Sequence, residues 1–367
     1  MEITQSYCYL GIIFSACGTF NAARQNILSK SLKAFYRLRQ LDTRDNVNLT
    51  LKLFDTLILP ICMYGSEVWG PEIFMKLNDN NFMQICDTAI IEALNIKLCK
   101  YVLGVSKRAI NAAVKGELGR YPLLITILTQ SYKFWARTCL LPIEFHVKKS
   151  YVESMMTNLD HNKKTWSNCM YIIMSNFNHP MIWESQGDID TPINSKFFTE
   201  SLESKYTSQW KSHIAKAEDP LIPNKLRSYA DFKSDFKIEN YILSCPLENR
   251  RLFSKLRISS HNLSIETGRY TKPKTPREKR NCIFCKQVAV EDEFHMLMNC
   301  SLYSEERANF IQSLESFSNI NFDCTPEIYK LLITCNHGDS EFSSELCQFI
   351  NKCFQIRDAA LLEVSST

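Results

Sequence analysis

Residues 20–41 read FNAARQNILSKSLKAFYRLRQL, and their period sets the fold class for most of the chain. Phe20, Ala23, Ile27, Ala34, Leu38 and Leu41 recur at three- and four-residue steps, which places them on one helix face. Arg24, Lys30, Lys33, Arg37 and Arg39 are interleaved with them, and a solvated face accounts for those cations without any ligand. Upstream, Tyr7-Cys8-Tyr9-Leu10-Gly11-Ile12-Ile13-Phe14 is a strand run broken by glycine, the pattern of a β-hairpin. Downstream, helical spacing returns through Leu51, Phe54, Leu57 and Ile58, again through Ile85, Ala89, Leu94 and Leu98, and again after Pro122. The expected fold is mainly α with a small N-terminal hairpin.

Composition agrees with this reading. The chain has 367 residues, 45% apolar and 22% charged, with 22 Phe, 15 Tyr and 5 Trp to fill a core but only 10 Gly. So few glycines disfavour turn-dense β architectures and glycine repeats. Fifteen cysteines stand mostly as single residues in apolar helical pattern (Cys62, Cys86, Cys99, Cys139), which indicates reduced core thiols and an intracellular protein. Residues 3–23 carry no charge, but Thr4, Gln5, Ser6 and Asn21 interrupt them and Glu2 precedes them, so they read as hairpin rather than signal peptide. No other segment has the length of a membrane span.

The net charge of +4 hides an uneven distribution: residues 250–280 hold ten cations against two anions, whereas residues 301–367 hold four against ten. A local positive field of that size meets phosphate or an acidic surface. Just after it comes Cys282-x2-Cys285-x9-His295-x4-Cys300. A C-x2-C turn supplies two thiolates from one knuckle, and a later His and Cys complete four tetrahedral ligands. These residues therefore read as a closed structural zinc site with no open position for water. Residues 268–280 precede it with Arg269, Tyr270, Lys272, Lys274, Arg277, Lys279 and Arg280, and Pro273 and Pro276 are expected to keep the stretch extended. Cations for phosphates and a ring for a base make it a candidate single-strand grip. A solvated basic linker is the plainer alternative.

Three motifs now stand together: Tyr9-Leu10-Gly11, Tyr64-Gly65-Ser66-Glu67-Val68-Trp69 and Glu117-Leu118-Gly119-Arg120-Tyr121-Pro122-Leu123. They resemble the end of the reverse transcriptase domain, and the helices after it, in LINE-type (non-LTR) retrotransposon polyproteins. His261, Ile265-Glu266-x-Gly268-Arg269-Tyr270, Pro276-Arg277 and the Cys-Cys-His-Cys run with Glu291-Asp292-Glu293 are similar to the C-terminal zinc knuckle region of the same polyproteins. The resemblance covers residues 6–140 and 245–310. It implies a hairpin remnant of the polymerase palm at 1–19, a thumb-like helical region at 20–142 that holds primer and template, and a nucleic-acid clamp of basic arm and zinc knuckle at 236–310. Outside it lie a helical spacer at 143–235 and an acidic helical tail at 311–367. RNA or DNA, single-stranded or hybrid, is the implied partner, with no membrane role.

In that family the metal-binding aspartates stand upstream of the Tyr-Leu-Gly hairpin, so this chain is expected to be non-catalytic. Tyr229-Ala230-Asp231-Phe232 imitates a Tyr-Ala-Asp-Asp polymerase box, but Phe232 replaces the second carboxylate, and one carboxylate cannot bridge two divalent ions. Two rivals accompany this reading: a protein-interaction scaffold in which zinc only staples the fold, and a piece of a longer, active RNA-directed DNA polymerase. Cys324, Cys335, His337, Cys347 and Cys353 form a looser second cluster, and the helix-core pattern around the last two favours buried thiols. His146, His161, His179 and His213 lack partners at ligand spacing.

Overall fold

The computed structural model describes residues 4–157, 164–177, 179–186, 191–215, 225–226, 228–285, 287–315, 325–334 and 340–366. It is mainly α, as expected. A hairpin of β1 (Ser6–Tyr9) and β2 (Ile12–Ser15) opens the chain. The helices up to the middle of the chain are α1 (Asn21–Arg39), α2 (Val47–Leu53), α3 (Leu59–Cys62), α4 (Ser66–Trp69), α5 (Phe82–Thr88), α6 (Glu92–Leu103), α7 (Asn111–Leu118) and α8 (Leu123–Leu140). Then come α9 (His146–Thr157), α10 (Trp166–Asn176), α11 (Pro180–Ser185), α12 (Thr191–Ala215), α13 (Tyr229–Phe232), α14 (Asn240–Ser244), α15 (Leu247–Arg257) and α16 (Ser264–Thr267). The last three are α17 (Ser304–Glu315), α18 (Pro326–Thr334) and α19 (Ser340–Ser366). Among the described residues, no single helix is long and apolar enough to cross a membrane.

The chain divides into two compact units, each assembled from separate stretches: Met1–Thr43, Leu49–Lys97 and Tyr121–Ser212 in the first, and Arg44–Asn48, Leu98–Arg120 and His213–Thr367 in the second.

In the first unit, Leu10 and Gly11 have φ of 47° and 84°. Two positive φ values in a two-residue loop match the twist of the flanking strands. The Tyr64 hydroxyl donates to the Leu10 carbonyl at 2.6 Å, and the Trp69 indole N–H donates to the Tyr64 carbonyl at 3.0 Å. Gly65 has φ of 63°, a left-handed backbone that favours glycine, and a Cβ there would stand 2.4 Å from Ile12 Cδ1 of the hairpin. The Tyr-Leu-Gly and Tyr-Gly-Ser-Glu-Val-Trp motifs are thus two sides of one contact.

Residues 143–235 read as a spacer because their periodicity is weak, yet their described residues up to Ser212 contribute large rings to this unit's core. Phe198 stacks on Tyr132 with centroids 4.8 Å apart, Trp183 stacks on Trp135 at 5.7 Å, and Phe177 meets Phe82 edge-on at 4.8 Å. A few large rings at irregular spacing bury enough area to hold helices whose stripe is poorly defined.

The second unit is organised around α15. Arg257 is fully buried, its guanidinium donating to Glu117 at 2.9 and 3.0 Å and to Glu239 at 3.0 Å. Tyr241 donates to Glu117 at 2.6 Å. Burial alone raises the Glu117 carboxyl, but the Arg257 charge overrides it and holds the group below the usual range. Two turns earlier on the same helix, Arg250 donates to the carbonyls of Val102 at 3.0 Å, Ile242 at 3.2 Å and Arg44. Gly119 has φ of 56°, and a Cβ there would lie 2.6 Å from the Ile238 backbone nitrogen. The Glu-Leu-Gly motif therefore carries a buried ion pair and a close backbone crossing.

Candidate metal centre

The knuckle is a short ribbon: Asn281 bridges Val290 in antiparallel fashion, Cys282 N–H donates to Ala289 O at 2.9 Å, and Glu291 N–H donates to Arg280 O at 2.9 Å. This pairing turns Cys282 and Cys285 toward the segment that follows. There, His295–Asn299 forms a π-helical turn, started by the His295 N–H on Asp292 Oδ1 at 2.9 Å and closed by the Cys300 N–H on His295 O at 2.8 Å. The wide turn brings His295 and Cys300 to one side.

Cys282 Sγ lies 3.8 Å from Cys300 Sγ, and Cys285 Sγ lies 3.4 Å from His295 Nε2. The four ligand atoms lie within 4.8 Å of one another. For a tetrahedral ion with metal–sulfur bonds of about 2.3 Å, sulfurs stand about 3.8 Å apart and sulfur to imidazole nitrogen about 3.5 Å. The spacing therefore fits a metal ion. Cys282, His295 and Cys300 are buried, and Cys285 is half-buried. The Cys300 thiol beside it pulls Cys282 down to about 3, and the same contact pushes Cys300 up.

Around the ligands, every acidic residue of Glu291-Asp292-Glu293 has a structural partner. Glu291 accepts from Ser264 N–H at 2.7 Å and from both sides of the Arg357 fork at 2.6 and 2.9 Å. Glu293 takes the Ser259 hydroxyl and His261 Nε2, each at 2.7 Å; burial raises its carboxyl, but His261 and the hydrogen bonds bring it to about 2. Arg307 donates to Leu297 O at 2.7 Å and Cys300 O at 2.9 Å. Arg307 and Arg357 belong to α17 and α19. Only a three-dimensional arrangement links the acidic tail to the knuckle, and the sequence carried no signal for it.

The basic stretch departs from its expected extended form. Thr275 N–H and the Thr271 hydroxyl both donate to Gly268 O, at 3.1 and 3.0 Å, and fold residues 268–275 into a closed loop, with a 3-10 turn at Arg277–Lys279. The prolines exclude α-helix, but the threonine hydroxyls replace the missing helical bonds. Arg280 points inward, donating to Thr275 O at 2.9 Å and Ile265 O at 2.8 Å. Arg269 pairs with Glu266 at 2.9 Å. Lys272, Lys274, Arg277 and Lys279 are exposed. Tyr270 is 59% exposed, and Lys225 sits 5.3 Å from its ring centroid while pairing with Glu266 at 3.1 Å. Lys225 lies far upstream and could not have been assigned to this group from spacing.

The other candidates separate cleanly. Cys347 and Cys353 are buried on α19, Cys347 donating to Asn249 O at 3.6 Å; Cys324, Cys335 and His337 lie outside the described residues, as does His161. Among the described residues, Cys282, Cys285, His295 and Cys300 form the only group of ligands placed to hold a metal ion. In the polymerase-like box, Tyr229 donates to Ala113 O at 3.2 Å and the Phe232 ring lies 4.7 Å from the Arg257 guanidinium carbon. Comparison with protein-family models, with curated proteins and with solved structures found no match.

Proposed function

We propose that this chain is a non-catalytic, zinc-dependent nucleic-acid-binding protein, related to the C-terminal part of non-LTR retrotransposon reverse transcriptases. One observation carries the reading. Four ligand atoms at tetrahedral spacing are followed back along the chain by a loop with four exposed cations and an exposed ring. Three sulfurs and one imidazole nitrogen in a tetrahedron select zinc among common divalent ions, with iron as the competitor that the same donors accept. With all four positions filled by protein, the ion holds the knuckle closed and activates no water.

Phosphates of a single strand would meet Lys272, Lys274, Arg277 and Lys279, and a base would stack on Tyr270. Arg269 and Arg280 would support the loop rather than touch the strand, since their guanidinium groups are bonded within the protein. In this reading the thumb-like motifs are retained for packing, and polymerisation is absent.

The test is binding of single-stranded RNA and DNA by the full chain across a salt series, alongside metal analysis. Four phosphate contacts at this loop contribute about −3 to the log–log slope, from about −0.7 per contact. Affinity without salt dependence, or one iron in place of zinc, would overturn the corresponding half of the reading.

A further inference from the structure

Residues 104–108 and the exposed flank of α15 meet in the second unit and bring Lys107 and Arg108 beside the helix that carries Arg251 and Lys255. Gly104 has φ of 64° and lies under the aliphatic stem of Arg251; a Cβ there would stand 3.1 Å from Arg251 Cβ and Cγ. Two residues on, Ser106 Oγ is 3.4 Å from Ser260 Oγ, and the Ser260 N–H donates to Lys255 O at 2.8 Å. These two contacts lay the loop along the side of α15 that carries Arg251 and Lys255, neighbours at i,i+4. Lys107, Arg108 and Arg251 are exposed, and among the described residues none of the three forms an ion pair. Lys255 is half-buried, with its pKa lowered first by burial and then by Arg251; Asp358 is the carboxylate that acts in the opposite direction. Lys100 donates to Lys107 O at 2.8 Å and is likewise lowered by burial. An anion on this surface would offset the repulsion between Arg251 and Lys255.

We propose that residues 104–108 and α15 form a second phosphate-binding surface, where Lys107, Arg108 and Arg251 contact the phosphodiester backbone of a nucleic-acid strand and Ser106 and Ser260 present hydroxyls to it. The ligand class rests on the nucleic-acid reading above, while the surface itself rests on unpaired charge. A nucleic acid fits better than a lipid surface: the exposed positions of the loop are Ser106, Lys107 and Arg108, with no exposed apolar side chain of the kind that enters a headgroup layer.

The test uses the full chain and a labelled single-stranded RNA. Lys107→Gln, Arg108→Gln and Arg251→Gln together should make the salt slope shallower by about two, from about 0.7 per lost contact, with the metal retained. A second variant neutralises Lys272, Lys274, Arg277 and Lys279. An unchanged slope in the first variant beside a shallower slope in the second overturns this surface and leaves the arm. The reverse pattern supports this surface and overturns the arm, and a parent chain that binds no RNA overturns both. Binding to phosphatidylserine vesicles that the triple variant loses, with its RNA slope unchanged, assigns the surface to a membrane and overturns the proposal. Lys107→Gln alone, at an exposed loop position, keeps the test in force should the triple variant lose its metal; its expected change is about 0.7.

Discussion

Cations within a dozen residues of each other do opposite work. Arg280 is turned into the loop and bonds two carbonyls, whereas Lys274, six residues earlier, is exposed. Arg280→Ala should therefore lower the melting temperature of the second unit and weaken RNA binding only through that loss. Lys274→Ala should leave the melt unchanged and make the salt slope shallower by about 0.7. Cys285 offers a sharper case, since it is the half-buried ligand and the easiest to replace without refilling a core. Native mass spectrometry should find one metal per parent chain and none in Cys285→Ser, with the knuckle losing its fold at the same time, because three remaining ligands hold the ion poorly. A variant that keeps both its fold and its metal would falsify the ligand assignment.

At the scale of elements, α15 and α19 determine the second unit. α15 buries Arg250 against carbonyls and Arg257 against Glu117, so one helix satisfies two charges inside the protein. Glu117→Gln leaves Arg257 without its bidentate carboxylate and should cost about 3–5 kcal/mol in chemical denaturation, as removing one partner of a buried pair does. The Glu117 carboxyl is depressed in the folded state, so its contribution is fully present above its ordinary pKa of 4.5. It is lost as pH falls below that value toward the folded pKa, and the parent chain should show acid destabilisation that Glu117→Gln lacks. α19 reaches the metal module through Arg357 on Glu291, with the guanidinium 5.7 Å from the Phe284 ring centroid inside the knuckle. Arg357→Ala should weaken metal affinity about 10–100-fold, measured by competition with a chelator, as loss of outer-shell support does elsewhere.

For the whole molecule, the functional question is whether binding occurs without polymerisation. Primer extension with magnesium or manganese should give background only, because the Tyr229–Phe232 box offers Asp231 as its lone carboxylate and uses Tyr229 and Phe232 for packing. Incorporation abolished by Asp231→Ala would reverse that conclusion.

The sequence by itself determined the helical class, the glycine-broken N-terminal hairpin and the four residues placed to hold a metal ion. Each depends on residues close together along the chain: three-four spacing, a glycine between two strand runs, and Cys and His at short ligand spacing. Tertiary structure alone decided which cations are free. Arg250, Arg257, Arg269 and Arg280 are cations like Lys272 and Lys274, but they meet carbonyls or carboxylates, which for Arg250 and Arg257 lie more than a hundred residues away. It also drew Phe177, Trp183 and Phe198 of the expected spacer into a core, where the signal lay in a few large rings, and it brought α19 against the knuckle. A ligand spacing is local and survives in one dimension. Burial of a charge depends on which distant group arrives to pair with it, and that is settled only when the chain folds.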